Sequence, residues 1–312
     1  MNSLTICLGA IAPLFLTMAA GFAAKRAGIV KESDISRMNA VAFKAFMPVM
    51  CFYNIYNSDL SSAVRPRLIA FTVCAIFAVF GLSLGFAALF VKRQDRRGVV
   101  VQGLYRSNFV ILGLPFVAGL VDGGDVGVTA VMSAIVVPLF NVLAVIILES
   151  YNGKKPNGKK LALDIAKNPL IVGSVLGILA LVAGLKLPFP IVNFLRDMGK
   201  AASPLMLFLL GAFFRFNGAK DHWKELLAVC LGRLVLIPAL VLGAAIALGF
   251  RDIELVTLLA IFASSTAVAS FTMAEQMGGD AALAGDIVVA TSTLASFTLF
   301  GWSFLLKVLA LY

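Results

Sequence analysis

Apolar runs long enough to cross a lipid bilayer follow one another along almost the whole chain. A membrane-spanning helix needs about 20 apolar residues. This chain is 61% hydrophobic and only 13% charged, whereas a typical soluble domain is about a quarter charged. The sequence therefore predicts an all-α integral membrane protein with ten transmembrane helices. We place them at 3–25, 34–56, 66–91, 98–120, 125–150, 168–187, 190–214, 223–250, 253–277 and 280–311.

The lysines and arginines indicate how these helices are oriented. Of the 26 basic residues, 16 lie in the loops that follow odd-numbered helices and 7 lie in the other loops and at the C-terminal end. The remaining three, Lys44, Arg106 and Arg233, lie inside predicted helices. Cytoplasmic loops carry the excess of basic residues, so we expect both termini outside. The net charge of +10 reflects this orientation, and we expect no nucleic-acid partner.

Residue types that bind metals or carry out catalysis are scarce. The four cysteines, Cys7, Cys51, Cys74 and Cys230, all lie inside predicted helices, where cysteine behaves as a small hydrophobic residue. The single histidine, His222, lies in a loop. We therefore expect no disulfide, no metal site, no cofactor and no enzyme activity.

Short motifs recur at an offset of about half the chain. KAFMPVM at 44–50 resembles KAASPLM at 200–206, and GGD occurs at 123–125 and again at 278–280. Each half holds five predicted helices, an odd number, so the second half would enter the membrane in the opposite sense, as in many secondary transporters. The motifs predict two inverted repeats joined by a cytoplasmic loop. The repeats are 1–151 and 168–312, and the loop is 152–167.

The fourth predicted helix contains a polar interruption, RSNFVILGLP at 106–115. Pro115 lacks an N–H and clashes with the carbonyl of Ile111, and Gly113 lowers helix stability. Freed backbone groups are tolerated in a bilayer only inside protein or beside a wet cavity. A break here would direct the N-terminal end of the second half-helix at the middle of the membrane. The partial positive charge of that end, together with Asn108, suits an anion.

The offset between the repeats places the counterpart of Asn108 at Ser264 in the ninth helix, within the stretch ASSTAVAS. Ser264, Ser265 and Thr266 are small hydroxylated residues in the middle of an apolar segment. Such residues either bond back to their own helix and bend it or contact a ligand, and the sequence leaves both readings open. Because this helix contains no proline, the sequence does not decide whether it is broken.

These motifs resemble those of a known family. RSNFVILGLP is similar to the Arg-x-Asn-x-x-x-x-Gly-x-Pro signature of the bacterial auxin efflux carrier family, relatives of the plant PIN-FORMED exporters. FMPVMCFYNI at 46–55 resembles the second helix of that family, and ASPLMLFLLGAFF at 202–214 resembles the seventh. STAVASFTMAEQMGGDAALAGDIVVATSTLAS at 265–296 resembles the last two. The resemblance covers the whole chain.

The resemblance implies that helices 4 and 9 are broken and cross at the substrate site. It implies a transport domain, 66–151 and 223–312, that moves like an elevator against a scaffold, 1–60 and 168–214. A homodimer formed through the scaffold helices and a location in the bacterial inner membrane are also implied. Substrates of the family are carboxylates such as auxin, malonate or malate. We therefore expect a secondary transporter for a small organic carboxylate.

Seven residues are candidates for substrate binding. Arg106 either attracts the anion or forms a structural ion pair, because a charge deep in a bilayer needs a cavity or a partner. The same two roles are open for Arg233, where the sequence gives weaker support for attraction of the anion. Asn108 either lines the site or makes an interhelical hydrogen bond. The full set is Arg106, Ser107, Asn108, Gly113, Ser264, Ser265 and Thr266, with Gly113 and Pro115 as the expected break.

Two other functions stay open. Glu275 and Asp286 are candidates for sodium or proton coupling, and Glu275 with Gln276 resembles sodium ligands of bile-acid symporters, so a sodium-coupled symporter is the main alternative. An intramembrane aspartyl protease is a remote alternative, because the motifs that end at Asp125, Asp280 and Asp286 do not read Gly-x-Gly-Asp.

A cytoplasm-negative potential favours outward movement of a monoanion by about 2.3 kcal/mol per 100 mV. An uncoupled carrier is therefore expected to export its substrate.

Overall fold

The computed structural model describes residues 3–57, 64–120, 127–151, 158–214 and 218–312, and in these ranges the chain is helical without any sheet. The repeat motif at 123–125 with Asp125, the loop lysines Lys154 and Lys155, and Arg215 lie outside the described residues. The α-helices are α1 (Ser3–Arg26), α2 (Glu32–Val41), α3 (Met47–Tyr56), α4 (Pro66–Phe90), α5 (Gln94–Tyr105), α6 (Leu114–Leu120), α7 (Gly127–Ser150), α8 (Gly158–Lys167), α9 (Pro169–Val182), α10 (Phe189–Phe213), α11 (Trp223–Leu231), α12 (Ile237–Ala247), α13 (Asp252–Ala263), α14 (Ala269–Met277) and α15 (Ala281–Val308).

Several of these helices have the length and composition of membrane spans. Among the described residues, α4, α7, α15 and the continuous helix Trp223–Ala247 are each long and apolar enough to cross a bilayer. The fourth and ninth predicted helices are instead each divided in two. The all-helical membrane class predicted from the composition is therefore confirmed.

Two predicted boundaries differ from the structure. The sixth predicted helix, 168–187, ends early, at Val182. Gly184 follows with a φ of 60°, in the left-handed conformation that ends many helices. The predicted loop 152–167 contains the helix α8, an amphipathic segment with the sequence GKKLALDIAK.

In the described part of the chain, three π-helical segments interrupt the α-helices, and each ends two residues before a proline. Proline has no N–H, and its ring collides with the carbonyl four residues earlier. A π-helical turn hydrogen-bonds from i to i+5 instead, so the segment absorbs the proline without ending the helix. The segments and their prolines are Ala42–Phe46 with Pro48, Phe109–Gly113 with Pro115, and Gly232–Leu236 with Pro238.

Two groups of helices pack around the core. Helices α1 and α10 lie along each other, as do α3 and α9. A Cβ on Gly21 would lie 1.9 Å from the carbonyl oxygen of Phe208, and one on Gly211 would lie 1.9 Å from that of Met18. Glycine at these positions therefore permits the close approach of α1 and α10. The second group consists of α5, α7, α13, α14 and α15, which pack around the interruptions of the divided helices.

Candidate functional site

The two divided helices are interrupted at similar depths in their segments. Helix α5 ends at Tyr105 and helical structure resumes at Phe109, while α13 ends at Ala263 and α14 begins at Ala269. The second interruption contains no proline but is rich in serine and threonine, which compete with the helix through their side-chain hydrogen bonds. The ninth predicted helix is thus broken without a proline.

The two interruptions cross each other. Ser107 and Thr266 form an antiparallel β-bridge, and the N–H of Asn108 donates to the carbonyl oxygen of Ser265 at 2.8 Å. A second backbone hydrogen bond of 3.2 Å lies on the other side of the bridge. Backbone groups without partners are costly inside a bilayer, so each extended segment helps to satisfy the other. We call this region the crossing.

Gly113 and Pro115 lie C-terminal to the interruption, within helical turns. Gly113 ends the π-helical segment, and a Cβ there would lie 2.6 Å from the ring of Phe109 and 3.1 Å from the carbonyl oxygen of Ala260. It therefore allows close packing against α13. Pro115 occupies the first turn of α6. The helix is interrupted upstream of both, because the π-helical segment absorbs the proline.

The hydroxyl groups at the second interruption bond to the protein. Ser264 Oγ donates to the carbonyl oxygen of Ala260 in its own helix at 2.5 Å. Ser292 Oγ on α15 donates to Ser265 Oγ at 3.2 Å, and Thr266 Oγ1 donates to a carbonyl oxygen of α5 at 2.8 Å. All three residues of the interruption are fully buried. Ser265 and Thr266 join the crossing to neighbouring helices, Ser264 bonds within its own helix, and none of the three lines the cavity described below.

A second buried arginine caps the helix ends at the crossing. Arg233, fully buried on the π-helical segment between α11 and α12, donates to the carbonyl oxygens of Leu104 at 3.1 Å, Tyr105 at 3.2 Å, Ile261 at 3.0 Å and Ser264 at 2.9 Å. These carbonyls end α5 and α13, where the last turns lack intrahelical donors and carry partial negative charge. One guanidinium thus satisfies the C-terminal ends of both helices.

A cavity of about 80 Å³ lies beside the crossing. It is bounded by α3, α7 and α10, by the residues of both interruptions, and by the beginnings of the helices that follow them. Most of its wall is apolar. Its lining residues are Met50, Asn54, Arg106, Ser107, Asn108, Val110, Ile111, Val137, Phe140, Asn141, Ser203, Met206, Ala267, Val268 and Ala269.

Among the residues that the structure describes, Arg106 supplies the only charge in this wall. Its side chain is buried, with the residue 4% exposed. Nη2 donates to Asn141 Oδ1 at 2.6 Å and Nη1 contacts Met273 Sδ at 2.8 Å. Both partners are neutral, and no carboxylate in the described part of the chain pairs with Arg106. The cavity therefore holds an uncompensated positive charge.

Two further donors, on residues that line the cavity, do not use their hydrogen-bonding capacity. Ser107 Oγ and Asn108 Nδ2 are buried, and neither has a partner among the residues that the structure describes. The helix Phe109–Leu120 and helix α14 both begin at the same wall. The first N–H groups of a helix lack intrahelical acceptors and carry partial positive charge. All of these features favour a negatively charged ligand.

The two residues expected to couple transport to an ion lie elsewhere. Glu275, near the end of α14, accepts hydrogen bonds from Ser36 Oγ at 2.6 Å and Asn39 Nδ2 at 2.8 Å, both on α2. Asp286, in α15, lies 2.7 Å from the ring of His222. Neither acidic residue lines the cavity.

A charge network joins the beginnings of three helices on one side of the protein. Arg96 of α5 pairs with Asp280, which precedes α15, at 2.9 Å and with Glu225 of α11 at 3.3 Å. Burial raises the pKa of Asp280, but the N–H of Leu283 and the guanidinium of Arg96 lower it by more, so its pKa lies below the ordinary value. The carboxylate therefore stays charged at neutral pH and fixes these helix ends.

Asn141 is a cavity residue that the sequence motifs did not indicate. It accepts a hydrogen bond from Arg106 and donates one to Cys51 Sγ at 3.2 Å, so it orients the guanidinium towards the cavity wall. A single asparagine in an apolar helix more often joins two helices. Only its position next to Arg106, which the sequence does not give, indicates a different role.

Comparison with known proteins agrees with this architecture. A family model described as membrane transport protein matches residues 6–160 and 157–303. The chain belongs to this family. An uncharacterized transporter from Methanocaldococcus jannaschii is similar as well, with 23% identity over 294 residues that cover 90% of this chain and 94% of that protein. Membership of this family of membrane transport proteins confirms the resemblance to auxin efflux carriers and the expectation of a multi-pass transporter.

Arg233→Met should destabilise the protein by at least about 3 kcal/mol, because it leaves several buried carbonyls without a donor. Arg233→Lys should be intermediate, since one ammonium cannot reach all four oxygens. Thermal unfolding of the detergent-solubilised protein measures the change. The matched control is Arg196→Met, because the Arg196 side chain on α10 is partly exposed, at 40%. Equal stability of the Arg233→Met and Arg196→Met variants would contradict the role of Arg233 as a cap.

Proposed function

We propose that this membrane transport protein is a secondary transporter that moves a small organic carboxylate anion across the membrane. The observation that carries the proposal is Arg106, a buried guanidinium that faces a cavity and has only neutral partners. Ser107 and Asn108 add neutral donors at the same wall. A carboxylate is the small organic group that matches such donors best, because it accepts several hydrogen bonds and forms a paired contact with a guanidinium.

The energetics of a buried charge support an anion. A charged side chain at the centre of a bilayer costs at least about 2.5–3.5 kcal/mol, and burying a charge without a partner is costly in any protein interior. A bound carboxylate would provide the missing counter-charge in a site of low dielectric constant. Helix N-termini at the same wall would add to the attraction.

The proposed architecture is ten transmembrane helices in two inverted five-helix repeats. The pair of interruptions supports it, because each half of the chain contributes one broken helix and the two meet in an antiparallel bridge. Such pairs of broken helices near the membrane centre are typical of transporters built from inverted repeats. The recurring motifs at 44–50 and 200–206 agree with this arrangement.

An elevator-type movement is the proposed mechanism. The scaffold would comprise α1–α3, α9 and α10, and the transport domain α4–α7 and α11–α15. The cavity lies between these two groups, because Met50, Asn54, Ser203 and Met206 belong to the scaffold and the other lining residues to the transport domain. Movement of the transport domain past the scaffold would carry the crossing and its anion across the membrane.

The proposed direction is export across the plasma membrane of a bacterium, with both termini outside. The distribution of lysine and arginine among the predicted loops supports this orientation. Without a coupled ion, a cytoplasm-negative potential favours outward movement of a monoanion by about 2.3 kcal/mol per 100 mV. We propose no resident cofactor. Measurements with and without sodium separate this proposal from a sodium-coupled symporter.

Arg106→Gln should abolish most carboxylate binding, because it removes the only charge of the cavity wall. We expect affinity to fall by at least about 30-fold. The measurement is the shift in thermal unfolding temperature of the purified protein with acetate, butyrate, indole-3-acetate, malonate or succinate, with and without sodium. Arg196→Gln, the same change at a partly exposed position outside the cavity wall, should respond like the wild type. The proposal would be contradicted if no carboxylate stabilised the folded protein, or if Arg106→Gln bound as tightly as the wild type.

A covalent link between scaffold and transport domain should stop transport. Ser36 Oγ on the scaffold and Glu275 Oε1 on the transport domain lie 2.6 Å apart. Ser36→Cys and Glu275→Cys can therefore be joined by a short bis-methanethiosulfonate, which forms a reducible disulfide with each thiol and releases methanesulfinate. The four native cysteines are replaced by alanine in this background. Efflux of a carboxylate from proteoliposomes should cease after cross-linking and return on reduction.

The matched control links two residues within the transport domain. Thr129 Oγ1 on α7 and Thr257 Oγ1 on α13 lie 2.8 Å apart, and a cross-link between cysteines at these positions should leave transport intact. Continued transport by a fully cross-linked Ser36→Cys/Glu275→Cys protein would rule out movement of the transport domain relative to the scaffold.

A further inference from the structure

The single positive charge of the cavity wall limits the number of negative charges that the ligand can carry. The helix N-termini at the wall favour anions in general. Within the described ranges of the chain, Arg106 is the one charged residue of the cavity wall, with no other arginine and no lysine or histidine beside it. One guanidinium compensates one negative charge. A second carboxylate in the same cavity would be buried without a counter-ion, and an unpaired buried charge is strongly destabilising.

The remaining polar groups of the wall are not free to hold a second carboxylate. Asn141 already bonds to Arg106 and Cys51. Ser203 Oγ lies 3.8 Å from Met50 Sδ, within the range of a hydrogen bond to sulfur. The unused donors, Ser107 Oγ and Asn108 Nδ2, adjoin Arg106 along the chain. The unpaired hydrogen-bonding capacity of the wall is therefore concentrated on one short segment, which fits one carboxylate.

The rest of the cavity suits a short hydrocarbon. Its wall includes Val110, Ile111, Val137, Met206 and Val268, all of which are apolar. A volume of about 80 Å³ exceeds the roughly 10–15 Å³ that one water molecule requires. It is well below the roughly 300–1,000 Å³ of pockets for drug-sized ligands. An aromatic acid with a bicyclic ring would therefore need a larger cavity than this one.

We infer that the ligand of this cavity is a short-chain aliphatic monocarboxylate, and that dicarboxylates are excluded by charge. This inference rests on the proposed function, because it assumes that the anion binds beside Arg106. The carboxylate would lie against Arg106, Ser107 and Asn108, and the hydrocarbon chain against the apolar wall. The occupied cavity is then electrically neutral, since one guanidinium meets one carboxylate.

The test compares three ligands of similar length that differ in charge and polarity. Butyrate carries one carboxylate and a methyl end, succinate carries two carboxylates, and succinamate replaces one carboxylate of succinate by a neutral amide of nearly the same shape. Isothermal titration of the wild-type protein at neutral pH should give the tightest binding for butyrate. Succinate should bind at least about 100-fold more weakly than butyrate, and succinamate should lie between them.

Arg106→Gln and the control Arg196→Gln are titrated with the same ligands. Loss of butyrate binding in Arg106→Gln alone, together with the expected order in the wild type, supports the inference. Succinate binding as tightly as butyrate in the wild type, and lost in Arg106→Gln, would overturn the restriction to monocarboxylates while the proposed carboxylate transporter stands. Absence of binding by all three ligands, with other carboxylates also inactive, would overturn both.

Discussion

The antiparallel bridge between Ser107 and Thr266 is the contact on which the rest of the site depends. It brings four helix ends together, the C-terminal ends of α5 and α13 and the N-terminal ends of the helices that follow them. A bilayer offers no water to satisfy these groups, so the protein must provide partners for both kinds of end. The carbonyl oxygens at the two C-terminal ends accept hydrogen bonds from Arg233. The N–H ends lie at the cavity, where a ligand can reach them.

The two buried arginines differ in their partners, and for this reason we propose a binding role for only one of them. Arg233 donates to four backbone carbonyls and needs no counter-ion from outside the protein. Arg106 has two neutral side-chain partners and faces a cavity. Its guanidinium is held in place by Asn141, and we propose that a ligand supplies its counter-charge. A fixed cation of this kind preorganises the site, because no side chain has to move to meet the anion.

The apolar runs and the polar stretches predicted much of this fold. Long hydrophobic segments identify helices because a bilayer allows little else. The serines at 264–265 left a break in the ninth helix open, because that helix has no proline, and the structure shows that it is broken there. The position of the first break was predicted too far along the chain, at Gly113 and Pro115, since a π-helical segment that absorbs a proline has no sequence signature here. The contacts of Ser264 and Asn141 depend on neighbouring helices, so no local pattern could give them. For the same reason, the sequence placed Arg106 and Arg233 in similar roles.

The most direct test of the central claim is to locate a bound carboxylate in an experimental structure. Crystals grown with a brominated short-chain carboxylate would give an anomalous signal from bromine, which marks the ligand independently of the protein density. The account predicts a bromine peak in the cavity near Ile111 and Val137, with the carboxylate against Arg106 and Asn108. A well-occupied ligand elsewhere in the protein, with the cavity beside Arg106 left without it, would contradict the account.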